Sequence, residues 1–575
     1  MKKSITLLLC FIGFLAHCQS WQWGKRGGST DQLSTTGGDR QEEVYSIVTD
    51  SNRNIYTLSY VGKNNLNIDG TVKTNFGDDT TKSDIALSSF SCDGTYRWSK
   101  IIGGQGFDRV QSLQIDAQNN IYISGKFGGC ANPSFPPRID DDVILSQTPQ
   151  DCSVIFIAKY SSDGVMQWFR RPQIAGVNGT EGLSQTFSKG MSTDSLGNSY
   201  WLTWLSPGSY ANGSFNPTLT GSNFYVLKYD TNGTFVSGTY LDIQLTDYSF
   251  LNLQFCRNPY NGSYYMSSTK AFSTDSAVIS GQTVTHAAFL WCFNDLGQFQ
   301  WLKESTGPNF NTVFWYNYAF DSQNNIYISG YIAGGNYENF LGLSPTQFNN
   351  PPFVMKLDSS ASTVLWSTYP NRPALQRGAL VMNGNELGLT SCGITNPYTW
   401  GTQSLTVSNI GTGFEVVLGR FNKDTGACLG LSRIVGDSGY DDIGTALAVD
   451  SSGDYILGGG FGHQLTFATN SILNIGSQSD FFVAKYSTSV CSLGTDDFKT
   501  EGIELSPNPV EHYVSIEVEE PMDYVVYSLL GVKVKEGKLT VASHQIDFGG
   551  LTSGTYVIAT TTGAGVVRKA KLLKR

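Results

Sequence analysis

The chain has 575 residues, of which 13% are aromatic and only 15% are charged, with 63 glycines and a formal net charge of −10. The acidic balance argues against nucleic acid or an anionic membrane as a partner, because both need a basic face. Many glycines and aromatics, few charges and no long helical pattern together predict short strands joined by tight turns.

The N-terminus has the pattern of a secretory signal peptide. A basic start is followed by an apolar stretch from Ile5 to Ala16, which is too short to span a bilayer comfortably. We expect cleavage before Gln19, which would remove residues 1–18. Cys18 leaves a lipoprotein alternative open, although the residue before it is not the small one that a lipobox needs. No other apolar run is long enough for a membrane-spanning helix, so no transmembrane segment is expected.

An Asp-x-x-x-Asn-x-Tyr phrase behind a short apolar strand recurs seven times, at spacings of 62 to 78 residues. A period of this kind is typical of repeat architectures. The copies, the later ones looser, begin at Asp50, Asp116, Asp194, Asn258, Asp321, Asn383 and Asp450. Their position at a turn predicts that these side chains cap local backbone amides. The alternative is a ring of carboxylates for metal binding or catalysis.

Each period also contains an apolar strand, a tight turn and a strand that usually carries Trp. One example is Ile155–Tyr160, followed by Asp163 with Gly164 and then Trp168. Asp-Gly between apolar strands is a strong hairpin signal, because both residues accept a positive φ. Each period thus supplies four short antiparallel strands, which is what a propeller blade requires. We predict an all-β fold with a seven-bladed β-propeller over residues 19–488.

The two ends of this region complement each other. The segment that begins at Trp21 matches the Trp strand of a period, whereas Phe481–Tyr486 matches the apolar strand that should precede it. Pairing them would complete one blade and remove open strand edges. The phrases resemble the bacterial beta-propeller repeat family often found in exported proteins, over residues 21–488. Residues 370–393 depart most from the pattern.

The chain changes character after a linker at 489–501, where aromatics become fewer and a Pro-Asn-Pro turn introduces short strands. The pieces, in order, are Leu505-Ser506-Pro507-Asn508-Pro509, Tyr527-Ser528-Leu529-Leu530-Gly531, Leu551-Thr552-Ser553-Gly554-Thr555-Tyr556 and the basic end 568–575. Residues 502–575 resemble the type A C-terminal sorting domain of type IX secretion. The resemblance implies a small β-sandwich-like domain that the translocon and its sorting machinery read, and a protein located outside the cell or on the outer-membrane surface.

Two motifs suggest further chemistry. Residues 103–111 fit the nine-residue calcium-binding pattern of repeats-in-toxin proteins, but that pattern works through adjacent stacked copies, so we expect an inter-strand loop, with calcium as the alternative. Eight of the ten cysteines follow Gln19, and their even number permits disulfides in an exported chain. Cys130 and Cys152 flank the largest insertion and are the first pair expected. The alternative is that several cysteines are small buried hydrophobes.

Aromatic pairs on the blades could stack on sugars, or could be ordinary β-sheet core residues. They are Tyr200, Trp201, Trp204, Trp315 and Tyr316.

We predict a secreted or cell-surface binding or adhesion module for a glycan or protein, with no enzymatic activity and no catalytic, cofactor-binding or metal-binding residue assigned. A polysaccharide-cleaving hydrolase or lyase on the same scaffold, and a purely structural surface component, are the alternatives. Functional residues are expected where the copies differ, in the Cys130 to Cys152 insertion and in residues 370–410.

Overall fold

The structure is a computed structural model, and it describes the chain in segments. These are residues 19–31, 42–78, 82–128, 134–146, 154–171, 187–245, 250–270, 276–305, 313–332, 351–370, 378–393, 396–407, 413–437, 439–476, 479–488, 491, 505–518, 520–528, 533–562 and 567–575. The chain divides into two compact units, Met1–Val490 and Cys491–Arg575. The prediction of an all-β fold is confirmed, since the described elements are strands apart from one 3-10 turn at Ala211–Gly213.

The first unit contains seven sheets that are each built around four antiparallel strands. They are here called sheets 1 to 7. Sheet 1 contains Glu43–Thr49, Ile55–Val61, Asp84–Phe90 and Tyr96–Gly103, and sheet 2 contains Arg109–Ile115, Ile121–Lys126, Ile155–Tyr160 and Met166–Arg170. Sheet 3 contains Met191–Thr193, Ser199–Leu205, Asn223–Tyr229 and Phe235–Leu241, and sheet 4 contains Phe250–Arg257, Tyr264–Lys270, Ala288–Phe293 and Phe299–Glu304. Sheet 5 contains Val313–Phe320, Ile326–Ile332, Pro352–Leu357 and Val364–Thr368. Sheet 6 contains Leu380–Asn383, Glu386–Gly393, Glu415–Asn422 and Cys428–Arg433, and sheet 7 contains Ile443–Val449, Tyr455–Phe461, Asp480–Ser487 and Ser20–Gly28. Each is an open sheet, not a closed barrel.

The middle strands of these sheets are buried on both faces. Every residue of Ile55–Val61, Asp84–Phe90 and Asp480–Ser487 is buried. Most fourth strands are less buried, and Phe235–Leu241 is exposed or half-buried at every residue but Leu241. Burial on both faces explains why the sequence shows continuous apolar runs in the middle strands instead of a strict alternation.

Hydrophobic side chains form a shared core between every pair of consecutive sheets. The clusters join sheets 1 and 2, 2 and 3, 3 and 4, 4 and 5, 5 and 6, 6 and 7, and 7 and 1. The first strands also touch in the same order, and that of sheet 7 contacts that of sheet 1. The Thr49 hydroxyl, for example, donates to the Val449 carbonyl across this last boundary, at 2.9 Å.

The two ends of the first unit meet in sheet 7. Ser20–Gly28 pairs antiparallel with Asp480–Ser487, with Trp21 opposite Tyr486 and their ring centroids 5.2 Å apart. This is the strand pairing that the two complementary phrases predict. The otherwise open edge of Asp480–Ser487 is thereby covered.

The tryptophans of the fourth strands connect neighbouring sheets. Trp98 of sheet 1 donates its indole N–H to the Ser162 carbonyl in the last turn of sheet 2, at 3.1 Å. In that turn Gly164 has a φ of 77°, and a Cβ there would lie 2.7 Å from the Trp98 ring. The same contact joins Trp168 to Thr231 and Trp366 to Lys423. The Asp-Gly turn of one sheet is therefore also a packing surface for its neighbour.

Short hairpins add strands next to the preceding sheet. They and their partner strands are Asn67–Ile68 with Thr71–Val72, Arg138–Ile139 with Val143–Ile144, Ala277–Ile279 with Gln282–Thr283 and Ile243–Leu245, Tyr398–Trp400 with Gln403–Leu405, and Gln464–Thr466 with Ser471–Leu473 and Val435–Gly436. A further strand, Phe187–Lys189, runs parallel to Phe250–Arg257.

The second unit is built from two small sheets. One contains Leu505–Ser506, Tyr513–Ile516 and Gln545–Asp547. The other contains Lys533–Leu539, Met522–Ser528, Gly554–Thr562 and Val567–Lys574. Side chains from both sheets share one core, among them Val514, Val526 and Ile558. Two sheets packed over one core form a small sandwich.

Candidate functional site

The aspartates of the recurring phrase cap the turn between the first and second strands of a sheet. One carboxylate oxygen of Asp116 accepts the backbone N–H groups of Gln118 and Asn120, at 2.9 and 2.8 Å. The other oxygen accepts the Tyr122 hydroxyl at 3.0 Å. Asp50, Asp194 and Asp321 make the same set of contacts to their own Asn and Tyr. This is the capping geometry that the sequence predicts.

These contacts occupy the carboxylates within their own turns. Burial alone would raise the pKa of Asp194, but hydrogen bonds from Asn198 and Tyr200 outweigh burial and lower it. Asp450 lacks the tyrosine contact and instead lies 3.1 Å from the ammonium group of Lys485. Within the described segments, no group of three or more His, Cys, Asp or Glu side chains is placed to hold a metal ion.

Three consecutive sheet boundaries each contain two buried carboxylates, here called the acid pairs. The pairs are Glu415 with Asp442 between sheets 6 and 7, Asp480 with Glu42 between sheets 7 and 1, and Asp84 with Asp108 between sheets 1 and 2. In each pair one acid begins a third strand, and the other directly precedes the first strand of the next sheet. All six residues are at most 2% exposed.

Each acid pair is held by a cation and by backbone N–H groups. The cation lies beside the acid of the third strand: Arg26 is 3.1 Å from Asp480, Lys63 is 3.2 Å from Asp84 and Arg433 is 2.7 Å from Glu415. The other acid accepts a backbone N–H from the glycine that follows the second strand of its own sheet, Gly62, Gly128 or Gly462. In the described residues, the cation of each pair therefore lies beside one of the two carboxylates, that of the third strand.

Burial therefore keeps the second acid protonated. Burial, together with the nearby Glu415 carboxylate, raises the pKa of Asp442 to about 8. The pKa of Glu42 and that of Asp108 are raised for the same reasons, burial first and the charge of the paired acid second. Burial also raises the pKa of Asp84, and it raises the pKa of Asp480 to about 6. The acid pairs are consequently buried structural junctions between sheets.

Glycine makes room for each acid pair. Gly28, Gly103 and Gly436 lie at the ends of the preceding strands, and a Cβ on Gly103 would lie 2.3 Å from the Asp84 carboxyl carbon. Asp108, the acid of the calcium-like pattern at residues 103–111, belongs to this junction. The pattern thus corresponds to a loop that buries its acid between two sheets.

The cysteines divide into two groups. Cys92 and Cys491 are each disulfide-bonded. Cys256, Cys292, Cys392 and Cys428 are thiols outside any disulfide. Burial raises the pKa of Cys292 to about 12, so that thiol is inert. The expected pair, Cys130 with Cys152, lies outside the described residues, as do parts of the 370–410 stretch.

The aromatic residues proposed for sugar stacking are mostly core residues. Trp201 is fully buried, and Tyr200 is buried with its hydroxyl on Asp194. Trp204 is half-buried, stacks on Phe224 and donates to the Ser222 carbonyl. The side chains of Trp315 and Tyr316 lie outside the described part of the structure. For the described three, the core interpretation is the better one.

An open cleft of about 460 Å³ lies where sheets 2 and 3 meet, here called the 2/3 cleft. It is bordered by the end of the fourth strand of sheet 2, by the last two strands of sheet 3 with the turn between them, and by the 3-10 turn. Its lining residues are Phe169, Arg170, Arg171, Ala211, Asn212, Ser214, Tyr229, Gly233, Thr234 and Phe235. A volume of this size is in the range of small-molecule sites.

The sequence does not single out this cleft. Arg170 and Arg171 follow an ordinary Trp strand, and the residues opposite them come from a loop and a turn of the next sheet. Two adjacent arginines in an acidic chain are the one local signal, and two such charges are ordinarily read as part of a solvated surface.

The second unit matches a known family. Residues 504–574 match the model described as the secretion system C-terminal sorting domain. The unit is a type IX sorting domain. This sorting domain implies export to the cell surface or the extracellular space, and contact with the type IX secretion machinery. No helix in the described residues is long and apolar enough to cross a membrane.

Solved structures give distant similarities only. A protein of unknown function from Dyadobacter fermentans is 11% identical over 65% of this chain and 96% of its own, with a TM-score of 0.33. A polysaccharide lyase of family PL25, an ulvan lyase, is 10% identical over 77% and 93%, with a TM-score of 0.37. The extracellular domain of a putative hybrid two-component system from B. thetaiotaomicron is 8% identical over 96% and 99%, with a TM-score of 0.16. Scores this low carry no argument about function. No curated protein matches the sequence.

Proposed function

We propose that the chain is a type IX exported, seven-bladed β-propeller that acts as a binding module on the cell surface or outside the cell. Seven sheets in an open row would share six cores, whereas the described residues form seven, and the additional one joins sheet 7 to sheet 1. Contact between the first strands of sheets 7 and 1 supports the same closed ring.

Binding, not catalysis, is the activity that the 2/3 cleft supports. The lining residues that the structure describes include two arginines, an amide and two small hydroxyls, and none of them is a carboxylate, histidine or thiol. General acid and base catalysis needs a group that exchanges protons near the working pH. Burial raises the pKa of Tyr229, the one phenol in the lining, to about 12, so it stays protonated. The cleft can donate hydrogen bonds and hold charge, which is what a binding site requires.

The acid pairs do not supply the carboxylates that a glycoside hydrolase needs. A hydrolase uses two carboxyl groups that face the same substrate bond. The six acids of the pairs are at most 2% exposed and lie between sheets, so a polysaccharide cannot reach them. Their arrangement favours a structural role in joining the sheets.

A combined screen for binding and turnover tests this proposal. The full chain would be exposed to a panel of polysaccharides and surface proteins, and both retention and chain cleavage would be measured. Saturable binding without turnover is the expected result. Turnover that a single carboxylate substitution abolishes would overturn the proposal in favour of an enzyme.

A further inference from the structure

We propose that the 2/3 cleft binds an acidic saccharide, in which a sugar ring carries a carboxylate or a sulfate. This inference rests on the proposed binding function and names the class of ligand for that site. Three observations support it: the charge of the cleft, the way Arg170 is held, and the mixture of polar and aromatic groups around it.

The cleft is a basic place in an acidic protein. The chain has a formal net charge of −10, yet the described lining residues include Arg170 and its neighbour Arg171, and none of those described residues is an acid. A concave site lined by charges of one sign concentrates the opposite charge. An anionic ligand is therefore favoured over a neutral or cationic one.

The Arg170 guanidinium is already oriented. It donates to the Gly233 carbonyl at 2.6 Å and to the Phe169 carbonyl at 2.7 Å, and it lies 5.6 Å from the centre of the Trp168 ring. Gly233 belongs to the turn of sheet 3, so this contact spans the two sheets. A longer contact of 3.5 Å joins it to the Asn232 carbonyl. These partners are neutral, so among the described contacts none offsets the positive charge, and two of the five N–H groups of arginine remain. A pre-oriented planar guanidinium suits a carboxylate or sulfate, which it can bind through two parallel hydrogen bonds.

The rest of the cleft matches a sugar. Asn212, Ser214 and Thr234 are exposed and offer an amide and hydroxyls to ring hydroxyl groups. Phe235 is half-buried and offers apolar surface to the C–H groups of a sugar ring. Small-molecule sites typically combine apolar walls with a few placed polar groups. A saccharide with one acidic substituent uses all of these features, whereas an inorganic anion would use only the arginines.

Titration calorimetry of the full chain tests the ligand class. Three oligosaccharides of equal length would be compared: one with uronate residues, one with sulfate esters and one neutral. We expect saturable binding of at least one acidic ligand, weakening as ionic strength rises, and no measurable binding of the neutral one. The first two ligands distinguish a carboxylate from a sulfate.

Substitutions test the site. Arg170→Gln should weaken binding of the acidic ligand by about tenfold or more, since it removes a charge-assisted hydrogen bond. The affinity of Arg170→Lys should fall between that of the natural chain and that of Arg170→Gln. Arg97→Gln is the matched control, because Arg97 also contacts the last turn of the next sheet but lies outside the cleft. If melting curves show that Arg170→Gln does not fold, Thr234→Trp takes its place, because the larger side chain fills the cleft from an exposed position.

Each contrary result has a distinct meaning. Equal binding of acidic and neutral ligands, or binding of a phosphopeptide in preference to any saccharide, contradicts the ligand class and leaves the proposed binding function intact. Acidic-ligand binding that survives both Arg170→Gln and Thr234→Trp contradicts the assignment to this cleft. Cleavage of the saccharide contradicts the proposed function itself.

Discussion

At the scale of single residues, the recurring Asp and the glycine beside each acid pair serve opposite purposes. Asp116 supplies hydrogen bonds that the turn backbone would otherwise lack, whereas Gly103 supplies space. Both are buried, and neither can be replaced without disturbing a neighbouring polar group. Their importance is therefore one of stability.

Replacing Asp116 by Ala should lower the free energy of unfolding by about 2 to 3 kcal/mol, because buried donors in the turn lose their acceptor. Chemical denaturation measures this change. Asp163→Ala is the matched control: its side chain is 78% exposed, and its contact with Arg97 is worth about 0 to 1 kcal/mol. Equal effects of the two substitutions would contradict the capping role.

Replacing Gly103 by Ala should cost about 1 to 3 kcal/mol, as expected for an added methyl group in a packed site. The new Cβ would lie 2.3 Å from the Asp84 carboxyl carbon. Gly190→Ala is the control, since its nearest contact would be an ordinary 3.6 Å. Thermal melting of both variants measures the difference in stability. A Gly103→Ala variant as stable as the natural chain would show that the acid pair is not tightly packed.

At the scale of strands and sheets, the acid pairs make stability depend on pH. Burial raises the pKa of Asp442 from 3.8 to about 8, so the folded protein holds a proton that the unfolded chain releases above pH 3.8. The free energy of unfolding should therefore fall as pH rises from about 4 to about 8. Glu42 and Asp108, with raised pKa values, act in the same direction.

The variant Asp442→Asn should flatten this pH dependence, because an amide stays neutral at every pH while its oxygen still accepts the Gly462 N–H. Denaturation midpoints at pH 5, 6, 7 and 8 measure the slope for the natural chain and the variant. Asp163→Asn is the control, because its side chain is 78% exposed and lies far from Asp442 along the chain, in the last turn of sheet 2. A natural chain whose stability rises between pH 5 and 8 would contradict the protonated state of the buried acids.

At the scale of the whole molecule, the chain divides into two compact units. The first carries the 2/3 cleft, and the second is a sorting domain that directs export. Each unit has its own hydrophobic core. The proposed binding site and the sorting domain therefore lie in different units, and substitutions can test them separately.

A chain that ends at residue 503 should remain inside the cell envelope of a bacterium with a type IX system, whereas the full chain reaches the surface or the medium. Immunoblots of cell fractions, with protease treatment of whole cells, measure the distribution. An unrelated reporter fused to residues 492–575 is the complementary control and should be exported. Export of the shortened chain at the level of the full one would show that the sorting domain is dispensable.

Local features were predictable because their hydrogen bonds close within a few residues. The Asp116 to Tyr122 turn is an example, and the hairpin at Gly164 is another. The pairing of Trp21 with Tyr486 was also predictable, although it joins distant residues, because the two phrases are halves of one repeated pattern. Burial of Trp201 was not, since an aromatic residue in a strand fits both a core and an exposed face.

The sequence by itself determined the strands, their turns, the all-β class and the C-terminal sorting domain, because these depend on local backbone preferences and on a repeated pattern. Only the tertiary structure decided that Glu42 meets Asp480, that Gly103 makes room for Asp84, and that Arg170 lies opposite Phe235 in a cleft. The physical reason is that burial, pKa and cleft shape arise from contacts between different sheets. No spacing along the chain records which sheet faces which.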